Sequence, residues 1–227
     1  MNFSYNNLQS RSILSLDEYQ RDLFKKRSKS QIVELGQVIF YEEEPPKYVY
    51  LISSGHVRIA RSSAHGFIVT VSIRNHGDLI GVAEVLSEMN RCCFAEALET
   101  CEIWKMDGKS FLQIINTSPE LGVKVMSALA TRLREAENTI FNLVTLKVDG
   151  RLAKLLLDLA QKHPSKGDKG LKIDVNLSHQ ELATMIGTCR QTVTTTLQKF
   201  KRNGLIHTDR MCVEILNIEG LKSFAIG

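Results

Sequence analysis

Short runs of alternating apolar and polar residues fill the chain between Gln31 and Met106. Four of these runs read VELGQVIFY, YVYLISSGHVRIAR, GFIVTVSIRNHGDLIG and CFAEALETCEIWKM, and glycine or proline residues punctuate them. Alternation with a period of two is typical of half-buried β-strands, and regular spacing of such strands favours a closed barrel or a double-sheet roll. We therefore predict a jelly-roll-like β-roll domain over residues 1–117, with a helical lead-in at 8–30 and a pocket for a small molecule.

A different periodicity begins at Ser118-Pro119-Glu120. A capping serine, a proline at the first helical position and an acid in the first turn predict the start of a long helix. Apolar residues then recur at spacings of three and four residues in alternation, which is the pattern of a coiled-coil seam. The pattern predicts a two-fold dimerisation helix over residues 118–148. The seam residues are Met126, Leu129, Leu133, Ala136, Ile140 and Leu143.

The chain after this helix, residues 149–227, predicts a winged helix-turn-helix domain. We interpret Asp149-Gly150 as a hinge, followed by the helix RLAKLLLDLAQKH, the loop PSKGDKG and the strand LKIDVN. The whole chain is thus predicted to have an α+β fold with three parts.

Two short helices joined by a tight turn are predicted within the last part. The sequences SHQE, from Ser178, and TCRQ, from Thr188, each match a capping box, in which a hydroxyl and an acid or amide cover free N–H groups at a helix start. Gly187 ends the first helix and permits the turn. The chain from Gly204 onward predicts a β-hairpin wing with Arg210 at its tip.

The second short helix carries side chains of the kind that read DNA bases. Arginine gives two parallel hydrogen bonds to guanine, glutamine bridges the donor and acceptor of adenine, and threonine methyl groups contact thymine. The predicted base-reading residues are Arg190, Gln191, Thr194 and Thr195. Phosphate contacts orient a protein without reading sequence. They are predicted for Ser178, Gln180, Thr192 and Arg210.

Charge is distributed in a way that supports a DNA-binding C-terminal domain. Residues 1–149 carry 17 Lys and Arg against 18 Asp and Glu, a net charge of −1, whereas residues 150–227 carry 12 against 7, a net charge of +5. A basic domain favours a polyanionic partner. No apolar run approaches the roughly 20 residues of a membrane span, and no signal-peptide pattern opens the chain, so we expect a cytoplasmic protein without a membrane partner.

Neither catalysis nor a metal site is expected. His56, His65 and His76 stand singly near predicted turns, without the H-x-H spacing of a metal-dependent enzyme on a β-roll. The five cysteines lack the paired C-x2-C spacing of zinc sites, and we interpret them as reduced thiols. Adjacency alone does not lower a thiol pKa, so the sequence leaves open whether Cys92, Cys93 and Cys101 respond to oxidants or bind a soft ligand.

The order of these parts resembles the Crp/Fnr family of bacterial transcription regulators. The resemblance covers the chain from about residue 20, and its most specific segments are GDLIG, FAEALET, VDGRLAKLLLDLA and TCRQTVTTTL. It implies that Arg190, Gln191 and Thr195 stand where family members read bases. Members commonly carry arginine at the last of these places, so Thr195 is a departure within the operator-reading surface.

The resemblance also implies an effector pocket, and there the sequence departs from the members that bind cyclic AMP. Those members have a glutamate after the GDxIG glycine, an Arg-Ser pair for the cyclic phosphate and a Thr-Ser pair on the dimer helix. This chain has Val82, Cys92-Cys93 and Ala136-Glu137 at these places. A cyclic phosphate would lack a cationic partner, unless Arg91 takes the place of the missing arginine, and the carboxylate of Glu137 would repel it. The candidate pocket residues are Gly81, Val82, Arg91, Cys92, Cys93 and Glu137.

The segments GDLIG and FAEALET are more similar to the oxygen-sensing branch of the family, but this chain lacks the cysteine ligands for that branch's iron–sulfur cluster. That branch uses an N-terminal cysteine cluster, whereas this chain has no cysteine before Cys92 and has Trp104 in place of the barrel cysteine. Haem has no matched ligand motif. A small metabolite, a thiol switch and constitutive DNA binding stay open as explanations.

The sequence therefore predicts a homodimeric, sequence-specific DNA-binding transcription regulator that is not an enzyme. It is expected to bind a palindromic operator, with RNA polymerase as a further candidate partner, and to be controlled by a small-molecule or redox signal at the β-roll. Two alternatives stay open. One is a cyclic-nucleotide-activated regulator, and the other is a sensor whose output is a protein partner.

Overall fold

The computed structural model describes residues 16–209 and 211–225, and it has the predicted α+β fold. The described residues form two compact units, which divide between Ala136 and Glu137. Within these ranges, no helix is long and apolar enough to cross a membrane.

The first unit contains two antiparallel four-stranded sheets, in the orders β1-β8-β3-β6 and β2-β7-β4-β5. Its described strands are β1 Ser28–Val33, β2 Val38–Phe40, β3 Tyr48–Ser54, β4 Val57–Ser62, β5 Ile68–Arg74, β6 Leu79–Ile80, β7 Phe94–Ala97 and β8 Cys101–Asp107. Its helices are α1 Glu18–Lys26, α2 Val82–Ser87, α3 Gly108–Thr117 and the first part of α4 Pro119–Thr145. Helix α1 lies within the predicted lead-in, of which residues 8–15 fall outside the described ranges.

Two apolar clusters hold this unit together. The first lies between the sheets and includes Ile52, Val57 and Ile103, none of which is accessible to solvent. The second joins the helices to the roll and includes Phe24 of α1 and Phe111 of α3. The alternating pattern of the strands therefore does bury one face of each sheet in a common core, and the predicted β-roll is confirmed.

The long helix α4 begins at Pro119 with an acid in its first turn, as predicted. Its first half packs into the helix-side cluster through Leu121, Val125 and Ala128, each at most 4% exposed. This packing anchors the beginning of the helix to the first unit.

The predicted seam follows another face of the same helix, and most of it is exposed. Met126 is 62% exposed, Leu133 62% and Ile140 63%. Leu143 is 42% exposed, and Leu129 is half-buried against the helix-side cluster. The helix thus has one apolar face that the first unit covers and a second that no described part of the chain covers fully.

The second unit combines four further helices with a small antiparallel sheet in the order β11-β12-β10-β9. After the end of α4, its described elements are α5 Val148–Lys162, β9 Pro164–Lys166, β10 Leu171–Ile173, α6 His179–Met185, α7 Arg190–Arg202, β11 Ile206–Asp209, β12 Cys212–Ile215 and α8 Ile218–Ala225. Strands β11 and β12 form the predicted wing hairpin. The segment PSKGDKG was expected to be a loop throughout, but it begins with strand β9, which pairs with β10.

The predicted position of the hinge is wrong. Asp149 and Gly150 lie in the first turn of α5, and the break between α4 and α5 falls at Leu146-Lys147. A Cβ atom on Gly150 would lie 2.7 Å from the carbonyl oxygen of Phe224. The glycine is therefore needed for the close approach of α5 to the last helix, and it does not serve as a bend.

The first predicted capping box is confirmed at Ser178. The Ser178 hydroxyl accepts a hydrogen bond from the backbone N–H of Glu181 at 3.2 Å, and the Glu181 carboxylate accepts one from the backbone N–H of Ser178 at 2.7 Å. Gly187 has φ of +63°, the left-handed conformation that the turn requires.

The second predicted capping box, at Thr188, is wrong. Helix α7 begins at Arg190, its N-cap residue is Cys189, and no side chain caps it. The backbone N–H of Thr188 bonds the carbonyl of Ala183, so Thr188 belongs to the turn that closes the preceding helix. The predicted cap, Thr188, therefore lies one residue before the actual N-cap, Cys189.

These two positions make a paired test of capping. We expect Ser178→Ala to lower the free energy of unfolding by about 0.5–2 kcal/mol, because an N–H group at the start of α6 loses its acceptor. Thr188→Ala, the matched control, should change it by less than about 0.5 kcal/mol. Urea unfolding measured by circular dichroism checks both values. A larger loss for Thr188→Ala than for Ser178→Ala would contradict the assignment.

Candidate nucleic-acid interface and effector region

Helix α7 is oriented by a buried apolar stripe. Val193, Leu197 and Phe200 are at most 3% exposed, and the helix packs against α6. The Phe200 ring also meets the edge of the Phe224 ring, with centroids 5.1 Å apart. Because this stripe faces inward, the residues on the opposite side of the first turn face solvent.

The first two residues of α7, Arg190 and Gln191, are both exposed. They lie where the first backbone N–H groups of a helix have no partner within the helix, which is also where its dipole favours anions. The structure therefore places two fork-shaped hydrogen-bonding side chains at the end of the helix that best accepts an anionic partner.

The two predicted threonines are arranged differently from each other. The Thr194 hydroxyl donates to the Arg190 carbonyl at 3.0 Å and lies 2.8 Å from Nδ1 of His179, and Thr194 is only half-buried. The Thr195 hydroxyl donates to the Gln191 carbonyl at 3.1 Å, and Thr195 is exposed. Both hydroxyls are used locally, so the methyl groups are the parts left for a base contact. Sequence reasoning missed His179, which links α6 to α7.

The predicted phosphate-contacting residues differ in how available their polar groups are. Gln180 is exposed, whereas the Ser178 hydroxyl is engaged in its capping box. The Thr192 hydroxyl lies 3.1 Å from Sγ of Cys189, and this hydrogen bond lowers the pKa of the exposed Cys189 thiol. Arg210 lies outside the described residues.

Arg151 is a residue of this unit that sequence reasoning missed. Its Nε donates to the carbonyl of Ile186 at 2.8 Å, and its Nη1 donates to the carbonyl of Leu146 at 3.0 Å. It therefore ties the break between α4 and α5 to the turn that precedes the exposed helix. No local sequence signal marked this residue, because α5 carries several other charged side chains.

Asp149 makes a second connection of the same kind. Its carboxylate pairs with the ammonium of Lys199 and accepts a hydrogen bond from the Thr196 hydroxyl at 3.3 Å. The beginning of α5 is thus attached to the middle of α7 by charge-assisted hydrogen bonds. Asp149 therefore links the beginning of α5 to α7 through side-chain contacts.

In the first unit, the guanidinium of Arg91 is buried and makes several hydrogen bonds to the protein. Arg91 is 2% exposed, and Nη1 donates to the carbonyl of Gly81 at 2.7 Å and to the Glu84 carboxylate at 3.0 Å. Nη2 donates to the carbonyl of Tyr48, and the group stacks on Phe40 at 4.5 Å from the ring centroid. A phosphate could use this arginine only by displacing these partners.

The two predicted pocket cysteines lie beside this arginine. Their sulfur atoms are 3.8 Å apart, Cys92 is exposed, and Sγ of Cys92 lies 3.7 Å from a carboxylate oxygen of Glu84. Burial, with the adjacent Cys92 adding to it, raises the pKa of the Cys93 thiol to about 12. Cys93 is therefore a protonated thiol at neutral pH.

A small cleft lies between the roll and α4. Its internal volume is about 10 Å³, far below the roughly 300–1,000 Å³ of typical ligand pockets. Arg132 donates to the carbonyl of Leu79 at 2.7 Å, and burial, reinforced by Arg74, lowers the pKa of Arg132 to about 10. The lining residues are Leu79, Val82, Val125, Ala128, Leu129 and Arg132.

Of the remaining predicted pocket residues, Gly81 has a left-handed φ of +74° and a Cβ atom there would lie 2.7 Å from Nη1 of Arg91. Glu137 is exposed on α4. Among residues 16–209 and 211–225, no group of three or more His, Cys, Asp or Glu side chains is placed to hold a metal ion.

Two family models match the two units. Residues 31–118 match the cyclic nucleotide-binding domain, and residues 150–224 match the Crp-like helix-turn-helix domain. The fold and the exposed helix α7 thus define a DNA-binding transcription regulator with a cyclic-nucleotide-binding-type domain at its N-terminal side.

Known proteins agree with this class. The CRP-like cAMP-activated global transcriptional regulator of Mycobacterium tuberculosis is 30% identical over 82% of this chain and 83% of its own. A CRP/FNR-family regulator from Thermus thermophilus is 26% identical, with a TM-score of 0.73 over 88% of this chain and 99% of its own. FixK2 from Bradyrhizobium japonicum, 19% identical, has the same fold, with a TM-score of 0.78 over 87% and 96%. The chain belongs to the Crp/Fnr family of transcription regulators.

Proposed function

We propose that this regulator binds a palindromic operator as a homodimer and reads it with helix α7. The observation that carries the proposal is the exposed first turn of α7, where Arg190 and Gln191 stand opposite the buried stripe. A recognition helix presents its N-terminal residues to base edges in the major groove. Two such helices would enter successive grooves at half-sites about 34–36 Å apart.

The proposed base-reading set keeps all four predicted residues, and their expected contacts differ. Arg190 and Gln191 supply hydrogen-bonding groups, whereas Thr194 and Thr195 contribute methyl groups, because their hydroxyls bond backbone carbonyls. Gln180 is exposed and suited to a phosphate. Ser178, Thr192 and Arg210 complete the proposed phosphate set. Because a phosphate accepts hydrogen bonds and does not donate them, the hydroxyls of Ser178 and Thr192 would turn their protons from Glu181 and Cys189 toward the phosphate.

The exposed apolar seam of α4 supports dimerisation through this helix. Side chains such as Leu133 and Ile140 each recover roughly 1.5–3 kcal/mol when they are fully buried. A second copy of the helix covers the whole seam by symmetry, because a two-fold interface uses the same surface on both chains. We therefore propose residues 118–148 as the dimer helix, between an effector domain at 1–117 and a DNA-binding domain at 149–227.

The proposed path of control runs from the roll through α4 to α7. Arg151 attaches the turn before α7 to the α4–α5 break, and Asp149 attaches α7 itself to the start of α5. A change in the packing of the dimer helix would therefore rotate the exposed first turn of α7. RNA polymerase is a further proposed partner of the DNA-bound regulator, and we place its action in the cytoplasm because its proposed ligand is the bacterial chromosome.

The Mycobacterium tuberculosis relative is named as cAMP-activated. The residues of the corresponding site in this chain disfavour cyclic AMP as its effector. Arg91 is already neutralised by Glu84 and two carbonyls, and Val82 and Cys92 offer no charge to a ribose or a phosphate. A bound phosphate would therefore lack the charge-assisted bonds that compensate its desolvation.

The base-reading role of Arg190 is tested after selection of an operator from pooled random duplexes. We expect Arg190→Ala to weaken binding to the selected palindrome by about 1–3 kcal/mol per half-site and to relax its specificity. Fluorescence anisotropy on the palindrome and on random DNA measures both effects. Gln198→Ala, an exposed position further along α7, is the control and should bind nearly normally. Equal losses on both DNAs would contradict base reading, and failure to select any palindrome would favour an output through a protein partner.

The dimer is tested by placing a charge in the seam. Leu133 is 62% exposed, so Leu133→Arg should fold, and we expect it to be a monomer because two arginines would meet at the two-fold axis. Sedimentation velocity gives the molecular mass. The control is Thr131→Arg, an exposed position of α4 outside the seam, which should stay dimeric. A dimeric Leu133→Arg variant would show that this seam is not the interface.

The effector is tested by calorimetry with cyclic AMP and cyclic GMP. We expect no saturable heat from the natural chain, because Cys92 supplies a thiol where the phosphate needs a cation. The variant Val82→Glu/Cys92→Arg/Cys93→Ser restores the glutamate and the Arg-Ser pair of the cyclic-AMP-binding members and should give saturable heat, because the phosphate gains a charged partner. Saturable binding by the natural chain that equals binding by the restored variant would refute this assignment.

A further inference from the structure

The adjacent thiols Cys92 and Cys93 are an unusual feature of the first unit that DNA binding leaves unused. Their sulfur atoms approach to 3.8 Å, and Cys92 is exposed while Cys93 is exposed in part. The segment that carries them joins α2 to β7 and is held by the neighbouring Arg91, whose guanidinium is buried. The two thiols therefore lie side by side where a small molecule from solvent can reach both.

A disulfide between these two cysteines is disfavoured by covalent geometry. Consecutive Cα atoms are about 3.8 Å apart across a trans peptide, whereas disulfide-linked cysteines usually have Cα atoms about 4.4–6.8 Å apart. Direct bonding would also draw the sulfurs to about 2.05 Å, little more than half of the present separation. The pair is thus poorly suited to an ordinary redox switch.

A single atom bonded to both sulfurs fits the observed separation. With bonds of about 2.3 Å, the length of a zinc–thiolate bond, and angles near tetrahedral or slightly less, two sulfurs lie roughly 3.4–3.8 Å apart. A zinc ion would need further protein ligands, and the described residues hold no group of three suitable side chains. A centre that takes only two sulfurs from the protein is therefore the better match.

We propose that Cys92 and Cys93 form a dithiol site for one trivalent arsenical, a soft centre that carries its own third substituent. This site lies in the first unit and does not rest on the proposed DNA-binding function.

The chemistry requires no change of oxidation state. A monosubstituted arsenous acid, R–As(OH)₂, reacts with the two thiols to give R–As(S-Cys)₂ and two molecules of water. Two As–O bonds break, two As–S bonds form, and each thiol proton leaves with a hydroxyl group.

The probe is phenylarsine oxide, added in equimolar amount to the intact, phosphine-reduced protein and followed by intact-protein mass spectrometry without DNA. We expect one phenylarsenic group per chain. It should survive an excess of the monothiol glutathione and be removed by the dithiol 2,3-dimercaptopropanol, because two linked thiols exceed one by about 10²–10⁴ in affinity.

The variants Cys92→Ser and Cys93→Ser should each lose this glutathione resistance by the same factor. Serine is nearly isosteric with cysteine, and both positions reach solvent, so the variants should fold. Cys189→Ser and Cys212→Ser each remove a thiol elsewhere in the chain and should keep the resistant label. Resistant labelling of either variant of the pair, loss of the label in either control, or removal by glutathione from the natural chain would each overturn the assignment.

Discussion

The buried apolar stripe of α7 is the interaction that orients the exposed first turn of this helix. Val193, Leu197 and Phe200 are almost fully removed from solvent, which fixes the rotation of the helix about its axis. That rotation leaves Arg190 and Gln191 exposed, and their proposed contacts with base edges depend on it. Weakening the stripe would therefore change how these two side chains are presented without altering either of them.

The first unit shows how a shared architecture can hold different chemistry. Its two sheets form the roll that matches the cyclic nucleotide-binding domain, yet the buried cation beside the two cysteines is already paired inside the protein. Arg91 takes its partners from Glu84 and from backbone carbonyls, so the roll is held together without an external anion. Removing one member of such a buried pair is strongly destabilising, which ties this region to the stability of the unit.

Much of the fold was predictable because its signals are local or periodic. The alternation of the strands, the proline at the start of α4 and the capping box at Ser178 each depend on a few neighbouring residues, and all three are confirmed. The second capping box and the hinge were wrong for a shared reason. Thr188 and Gly150 have local sequences that permit a cap or a bend. A backbone hydrogen bond to the carbonyl of Ala183 instead places Thr188 in a turn, and close contact with Phe224 places Gly150 inside a packed helix.

The sequence by itself determined the order of the parts, the class of DNA-binding element and the apolar seam of α4, because periodicity and capping are encoded within a helix or a strand. Only the tertiary structure decided what surrounds each polar side chain. It assigned Arg91 to Glu84, Arg151 to Ile186 and His179 to Thr194, all through contacts between residues that lie 7 to 35 positions apart. Such partners depend on how separate elements pack, and no local pattern of residues specifies that packing.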